Sequence, residues 1–250
     1  YTFSIRGTGT DPEISVTGNG TEIAHEDDTP TTTDGTDFGS VYIHNDATAT
    51  TTFTILNTGN RVLNLHATST SRVVVEEDEE TPGYLDFEVT TSPATSTVSA
   101  EGNITFVVTF NPSATGTRSA ILSISNDDTD ENPYTFSIQG TGTDPEISVT
   151  GGPEGVQIAH EDGEPRTADG TDFGSLDIDG VTATTTFTIL NTGNAVLTLD
   201  GNPDLVAVSG AHSSDFEVTT PVATSTVSAG GSITFQVAFD PNAIGIRSAV

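Results

Sequence analysis

The chain has 250 residues and a formal charge of -30, with 36 acidic residues against six basic ones, all arginine. So one-sided a charge excludes nucleic acid and anionic lipid as partners, because both need clustered cations. No apolar run reaches the roughly 20 residues of a membrane-spanning helix, and the lack of cysteine excludes a disulfide scaffold.

Predicted strands follow one another along the chain. Tyr1 opens in mid-strand, and residues 1–10 are expected to be the closing strand of a preceding or neighbouring domain. Ile14 and Val16 make a short inward face. Phe53 and Ile55 alternate with Thr52 and Thr54, and Leu63 and Leu65 follow the turn Asn57–Asn60. Ile104, Phe106, Val108 and Phe110 alternate with Thr105 and Thr109. Ala120, Leu122 and Ile124 alternate with Ser119, Ser123 and Ser125, and Tyr134, Phe136 and Ile138 with Thr135 and Ser137. Alternation with period two marks half-buried strands. The intervening Gly, Asn, Asp and Pro are turn formers. One apolar face per strand requires two sheets to bury their inner faces together. The fold class is therefore all-β: tandem immunoglobulin-like antiparallel β-sandwich domains of about seven strands each.

An internal repeat dominates the chain. YTFSIRGTGTDPEISVTG at Tyr1 returns as YTFSIQGTGTDPEISVTG at Tyr134, the two differing only at Arg6 and Gln139. TDGTDFGS at Thr33 returns as ADGTDFGS at Ala168, TTTFTILNTGN recurs ending at Asn60 and Asn194, and DFEVTT recurs at Asp86 and Asp215. The acidic run Glu76-Glu77-Asp78-Glu79-Glu80 is confined to the first copy. A period of about 130 residues is a whole domain rather than a solenoid unit. The expected organisation is residues 1–10 as the spare closing strand, 11–143 as the first domain, and 144–250 as a second domain lacking its last one or two strands.

The order PEI-x-V, DG-x-DFG, TFTI-x-NTG, L-x-L, DF-x-VT, G-x-ITF-x-V-x-F-x-P, RSA-x-LSISND, PYTFSI-x-GTGT resembles the choice-of-anchor D repeats of prokaryotic surface proteins, which are relatives of Hydin-type (ASH-like) immunoglobulin-like domains. The resemblance covers nearly the whole chain. It implies a seven-stranded sandwich, a secreted multi-domain parent and no enzymatic activity.

Candidate chemistry is sparse. GTGTDP (Gly7–Pro12 and Gly140–Pro145) lacks the third glycine and the helix of a dinucleotide loop and is expected to be a tight junction between domains. His25-Glu26-Asp27 and His160-Glu161-Asp162 have no zinc-like spacing and are expected to be solvated acidic loops. The serines are expected to face solvent on strands. Thus no catalytic, cofactor-binding or metal residue is assigned, and no cofactor is expected. Calcium is the one candidate ion, since it takes oxygen ligands from flexible carboxylate loops. The loops in question carry Asp127, Asp128 and Asp130 beside Glu131, Asp34 with Asp37, and Asp169 with Asp172. Asn19 and Asn103 fit the glycosylation acceptor pattern.

The function expected is a non-catalytic structural repeat of an extracellular filament, stalk or surface fibre, joined by strand complementation or by continuous chain. Its partners would be copies of itself or adjacent repeats, with no nucleic acid and no membrane insertion. The alternative is an adhesion module that binds a glycan or partner protein through loops carrying Tyr42 and Tyr84. The absence of lysine, with Asp outnumbering Glu, also suggests a high-salt setting.

Overall fold

A computed structural model describes every residue except 45, 68–70, 79–82, 179 and 202–203. Glu79 and Glu80 of the acidic run therefore lie outside the described residues. Two compact units are present, residues 1–143 and 144–250.

In unit 1 the strands are β1 (Ile14–Gly18), β2 (Thr21–Ile23), β3 (Asp37–Tyr42), β4 (Ala49–Asn57), β5 (Leu63–Asn64), β6 (Val73–Glu76), β7 (Phe87–Thr91), β8 (Thr97–Val98), β9 (Asn103–Phe110), β10 (Gly116–Ile124) and β11 (Tyr134–Thr143). One sheet runs β2-β1-β4-β9-β7 and the other β3-β11-β10-β6, with β5 and β8 pairing alongside. This is the expected sandwich. The pattern of alternation did not show that β3 pairs parallel with β11, from Gln139 against Asp37 to Thr143 against Tyr42.

Both inner faces are built from the alternating apolar positions. Ile14, Val16, Phe53, Ile55, Leu63, Leu65, Phe106, Val108, Phe110, Ala120, Leu122, Ile124, Tyr134, Phe136 and Ile138 are all buried. Phe53 stacks on Phe106 at 5.3 Å between ring centroids and meets Phe136 of the opposite sheet at 5.5 Å. Full burial of an aromatic or aliphatic side chain is worth about 1.5–3 kcal/mol, so the three inward residues of β11 are a substantial part of the core. The glycines that follow them are packing residues. A Cβ on Gly140 would come within 2.4 Å of the Phe110 ring, and one on Gly142 would run into the carbonyl oxygen of Ala114.

Two serines depart from the expected solvent-facing positions. Ser119 and Ser123 are buried; the Ser119 hydroxyl donates to Asp78 Oδ2 at 2.6 Å, so the acidic segment after β6 reaches over this part of the sheet. A further polar anchor is Arg118, whose Nε donates to the buried carboxylate of Asp86 at 2.5 Å.

Unit 2 comprises β12 (Ile147–Gly151), β13 (Val156–Ile158), β14 (Ala183–Asn191), β15 (Leu197–Thr198), β16 (Phe216–Thr220), β17 (Thr226–Val227) and β18 (Ser232–Phe239). Its five-stranded sheet, β13-β12-β14-β18-β16, repeats the first sheet of unit 1, and β15 pairs with β17 as β5 does with β8. Val250 and Ser209 exchange backbone hydrogen bonds at 2.7 and 2.8 Å, matching the Ile121–Glu76 pairing of unit 1. Residues 172–177 and 245–250, which correspond to β3 and β10, carry no strand. In unit 1 both β3 and β10 hydrogen-bond to β11.

The burial of β11 sets the expected effect of cutting into it. Phe136→Ala should destabilise unit 1 by roughly 3–5 kcal/mol, the usual range for a buried Phe reduced to Ala. Phe3→Ala, the same change in the copy that is 86% exposed, should leave the stability of dilute protein unchanged. Chemical unfolding of the two full-length variants checks both outcomes.

Candidate functional site

Strand β11 is held at its outer edge by the segment after β2. The Glu26 amide donates to the Thr135 carbonyl at 2.7 Å, and the Ser137 amide donates to the Asp27 carbonyl at 2.8 Å. The Thr135 amide donates to His25 Nδ1 at 3.2 Å, and the His25 ring lies 5.2 Å from that of Tyr134. The Tyr134 hydroxyl donates to the Ile23 carbonyl at 2.5 Å. Burial, reinforced by Glu131, pushes the phenol pKa up to about 12, so it remains a donor. Farther along, the Gln139 amide donates to Thr36 O at 2.9 Å and its Nε2 to Asp37 Oδ2 at 3.0 Å. His25-Glu26-Asp27 is thus a strand-docking lip rather than the solvated loop expected from its composition. Its signal in the sequence was recurrence in both copies.

Unit 2 keeps the same lip. Glu161 has φ 60° where Glu26 has φ 61°, a left-handed conformation uncommon outside glycine. The His160 side chain is 96% exposed, against 23% for His25. Beside this lip lies an apolar cleft of about 1020 Å³, lined among others by Val149, Ile158, Phe173, Phe187, Phe235 and Phe239. Phe187 stacks on Phe235 at 5.3 Å, as Phe53 does on Phe106. Phe173 packs against Phe216 and Phe239, as Phe38 does against Phe87 and Phe110. The cleft is the inner face of a sandwich, in the place where unit 1 seats β11.

The acidic loops divide between turn chemistry and one cluster. Asp34 accepts from the Thr36 amide at 3.0 Å and hydroxyl at 2.6 Å, and Asp169 accepts from Thr171 at 3.0 and 2.5 Å. At Asp34, burial raises the carboxyl pKa, but the Thr36 hydrogen bonds outweigh it and the net shift is downward. At Asp169 the Thr171 hydroxyl is the largest cause of a downward shift. Asp37 and Asp172 each accept from the glycine amide two residues on, at 2.8 and 2.9 Å. Asp127 is taken up by the Asn64 amide and side chain at 2.7 and 2.6 Å, and Asp130 is exposed. Asp128 alone of these residues joins a cluster that could hold a metal, together with Glu13 and Glu131. Glu13 was missed in sequence because it lies more than a hundred positions before its partners. Asn19 and Asn103 are both exposed. Of the two loop tyrosines, Tyr42 is 44% exposed and Tyr84 packs against the core.

Residues 31–141 match the family model described as HYDIN/CFA65/VesB-like, Ig-like domain. Unit 1 is a Hydin-type immunoglobulin-like domain. No curated protein matches the chain. Among solved structures, the ASH / PapD-like domain 7 of human CEP192 is 12% identical, with 58% of this chain and 96% of that one covered at TM-score 0.36. A Porphyromonas gingivalis W83 protein of unknown function is 14% identical, covering 82% and 80% at TM-score 0.28. The secreted serine protease VesC from Vibrio cholerae is 11% identical; 85% of this chain and 47% of VesC are covered at TM-score 0.33. Among the described residues of the Hydin-type domain and of unit 2, no helix is long and apolar enough to cross a membrane.

One ionic contact repeated from the Hydin-type domain borders the cleft of unit 2. Arg247 Nε donates to the buried Asp215 carboxylate, and this hydrogen bond holds the carboxyl pKa below its ordinary value. A carboxylate whose folded pKa is depressed stabilises the fold above its unfolded pKa, near 4, and loses that contribution as pH falls through the folded value. Arg247→Gln should therefore lower the melting temperature of unit 2 at neutral pH. The gap from wild type should close as the pH drops below about 4. Calorimetry across that range measures it.

Proposed function

We propose that this chain is a non-catalytic structural repeat unit of an extracellular filament, stalk or surface fibre, in which strands of the YTFSI type join successive domains. One observation carries this reading. The strand Tyr134–Ile138 completes the core of unit 1, and the same lip sequence and aromatic lining recur in unit 2. Residues 1–10 of a second copy carry the matching sequence, and Tyr1, Phe3 and Ile5 are exposed. Placed like β11, Phe3 meets Phe187, the Tyr1 hydroxyl meets the Ile158 carbonyl, and Gly7 accommodates the Phe239 ring.

The single difference between the two strands fits this assignment. Gln139 lies against Asp37 in unit 1, so Arg6 in the same register lies against Asp172 of unit 2. That contact adds an opposite charge to a pairing otherwise made of backbone hydrogen bonds and apolar side chains, the usual composition of strand addition. The features repeated in both units are strand-docking and packing residues, which supports a non-catalytic role. Near-identical copies and membership of the Hydin-type family support a tandem surface array. Adhesion through the loop tyrosines has less support, because Tyr84 is committed to the core.

Sedimentation velocity of the purified chain tests the joining mechanism. Head-to-tail oligomers should grow with concentration, shrink when a peptide of the Tyr134–Thr143 sequence is added, and disappear in Phe3→Asp. A monomer at every concentration that also fails to bind the peptide overturns the strand-joining mechanism. Electron microscopy of the parent assembly tests the broader reading, and compact isolated particles would overturn it.

A further inference from the structure

We propose that Glu13, Asp128 and Glu131 bind a calcium ion that fastens the loop between β10 and β11 to the start of β1. One ligand oxygen from each residue lies within 4.8 Å of the others. Asp128 is 1% exposed. Its Oδ2 accepts the Ile14 amide at 2.9 Å, but its Oδ1 is buried with no hydrogen-bond partner. Glu131 Oε2 is likewise buried and unpaired. Two unsatisfied carboxylate oxygens in one place are costly unless a cation meets them, because a buried charge needs a partner.

The surroundings supply none from the protein. Among the described residues, none of the three carboxylates forms an ion pair with an arginine. Desolvation raises the pKa of both Glu13 and Glu131, and the negative charge of Asp128 raises them further. His25 acts on Glu131 in the opposite sense. Such a group of oxygens is suited to a hard dication. Calcium tolerates irregular oxygen sets and completes its shell with water on the exposed Glu13 side, whereas magnesium demands near-octahedral geometry.

The loop is otherwise organised to hold these groups in place. Asn126 accepts the Asp128 amide at 2.7 Å and donates to the Glu131 carbonyl at 2.9 Å, fixing the turn that carries both ligands. β11 begins at Tyr134, so an ion here clamps the strand that completes the sandwich. Asp34, Asp37 and Asp172 each have an oxygen taken by a neighbouring amide or hydroxyl. Asp169 also has a buried oxygen without a hydrogen bond, but that oxygen lies 3.9 Å from the Arg166 guanidinium, a cation the Asp128 cluster lacks.

Isothermal titration of the full chain with CaCl2 should show binding with Kd at or below about 1 mM, the range of extracellular calcium modules. Calcium should raise the melting temperature of unit 1 beyond the effect of NaCl at equal ionic strength, and magnesium should do less. Glu13→Gln, at an exposed position where folding is undisturbed, and Asp128→Asn, which keeps an acceptor for the Ile14 amide, should each weaken binding about tenfold or more, as loss of ligand charge predicts. Glu154→Gln in unit 2 should leave it unchanged. The proposal is overturned if no calcium binds, or if Glu13→Gln and Asp128→Asn bind it as tightly as wild type, which would mark the effect as general screening of an acidic surface.

Discussion

The structure depends on one pairing: strand β11 lying between β3 and β10. Its backbone supplies the ladder for both neighbours, and its side chains Tyr134, Phe136 and Ile138 fill the space between the sheets. Packed against the second sheet and the β10–β11 loop, Ile14 is 2% exposed and its amide donates to Asp128. A strand in the middle of a sheet is coupled to everything around it. Its hydrogen bonds and its apolar face are gained together, which makes the second sheet of the sandwich close to all-or-none.

That coupling makes unit 1 dependent on one strand. Three features hold the strand in place: the aromatic lining packs its apolar residues, the lip at Glu26 and Asp27 hydrogen-bonds its edge, and the glycines of GTGT allow Phe110 and Ala114 to approach the backbone. The aromatic lining and the left-handed lip residue recur in unit 2.

The acidic residues fall into distinct physical roles despite their similar appearance. Asp34 and Asp169 are turn formers whose charge is stabilised by local hydroxyl and amide donors. Asp86 and Asp215 are buried counter-ions for Arg118 and Arg247. Asp128 is buried with half of its carboxylate unanswered. Thus much of the negative charge near the core is neutralised one group at a time. The cluster around Asp128 stands apart because its neighbours are themselves acidic.

The sequence alone determined the all-β class, the two-sheet sandwich, the repeat, and the inward residues of most strands, because alternation along a strand is a local property of the chain. Residues that act across the fold were not legible in it. His25-Glu26-Asp27 looks like a polar loop until β11 is laid against it, and Ser119 looks solvent-facing until Asp78 covers it. Glu13 gains its significance from residues far along the chain. Only the tertiary structure decided these roles, since each depends on a strand pairing or a loop crossing that brings distant segments together. The parallel contact of β3 with β11 is likewise a product of sheet order, which strand periodicity does not encode.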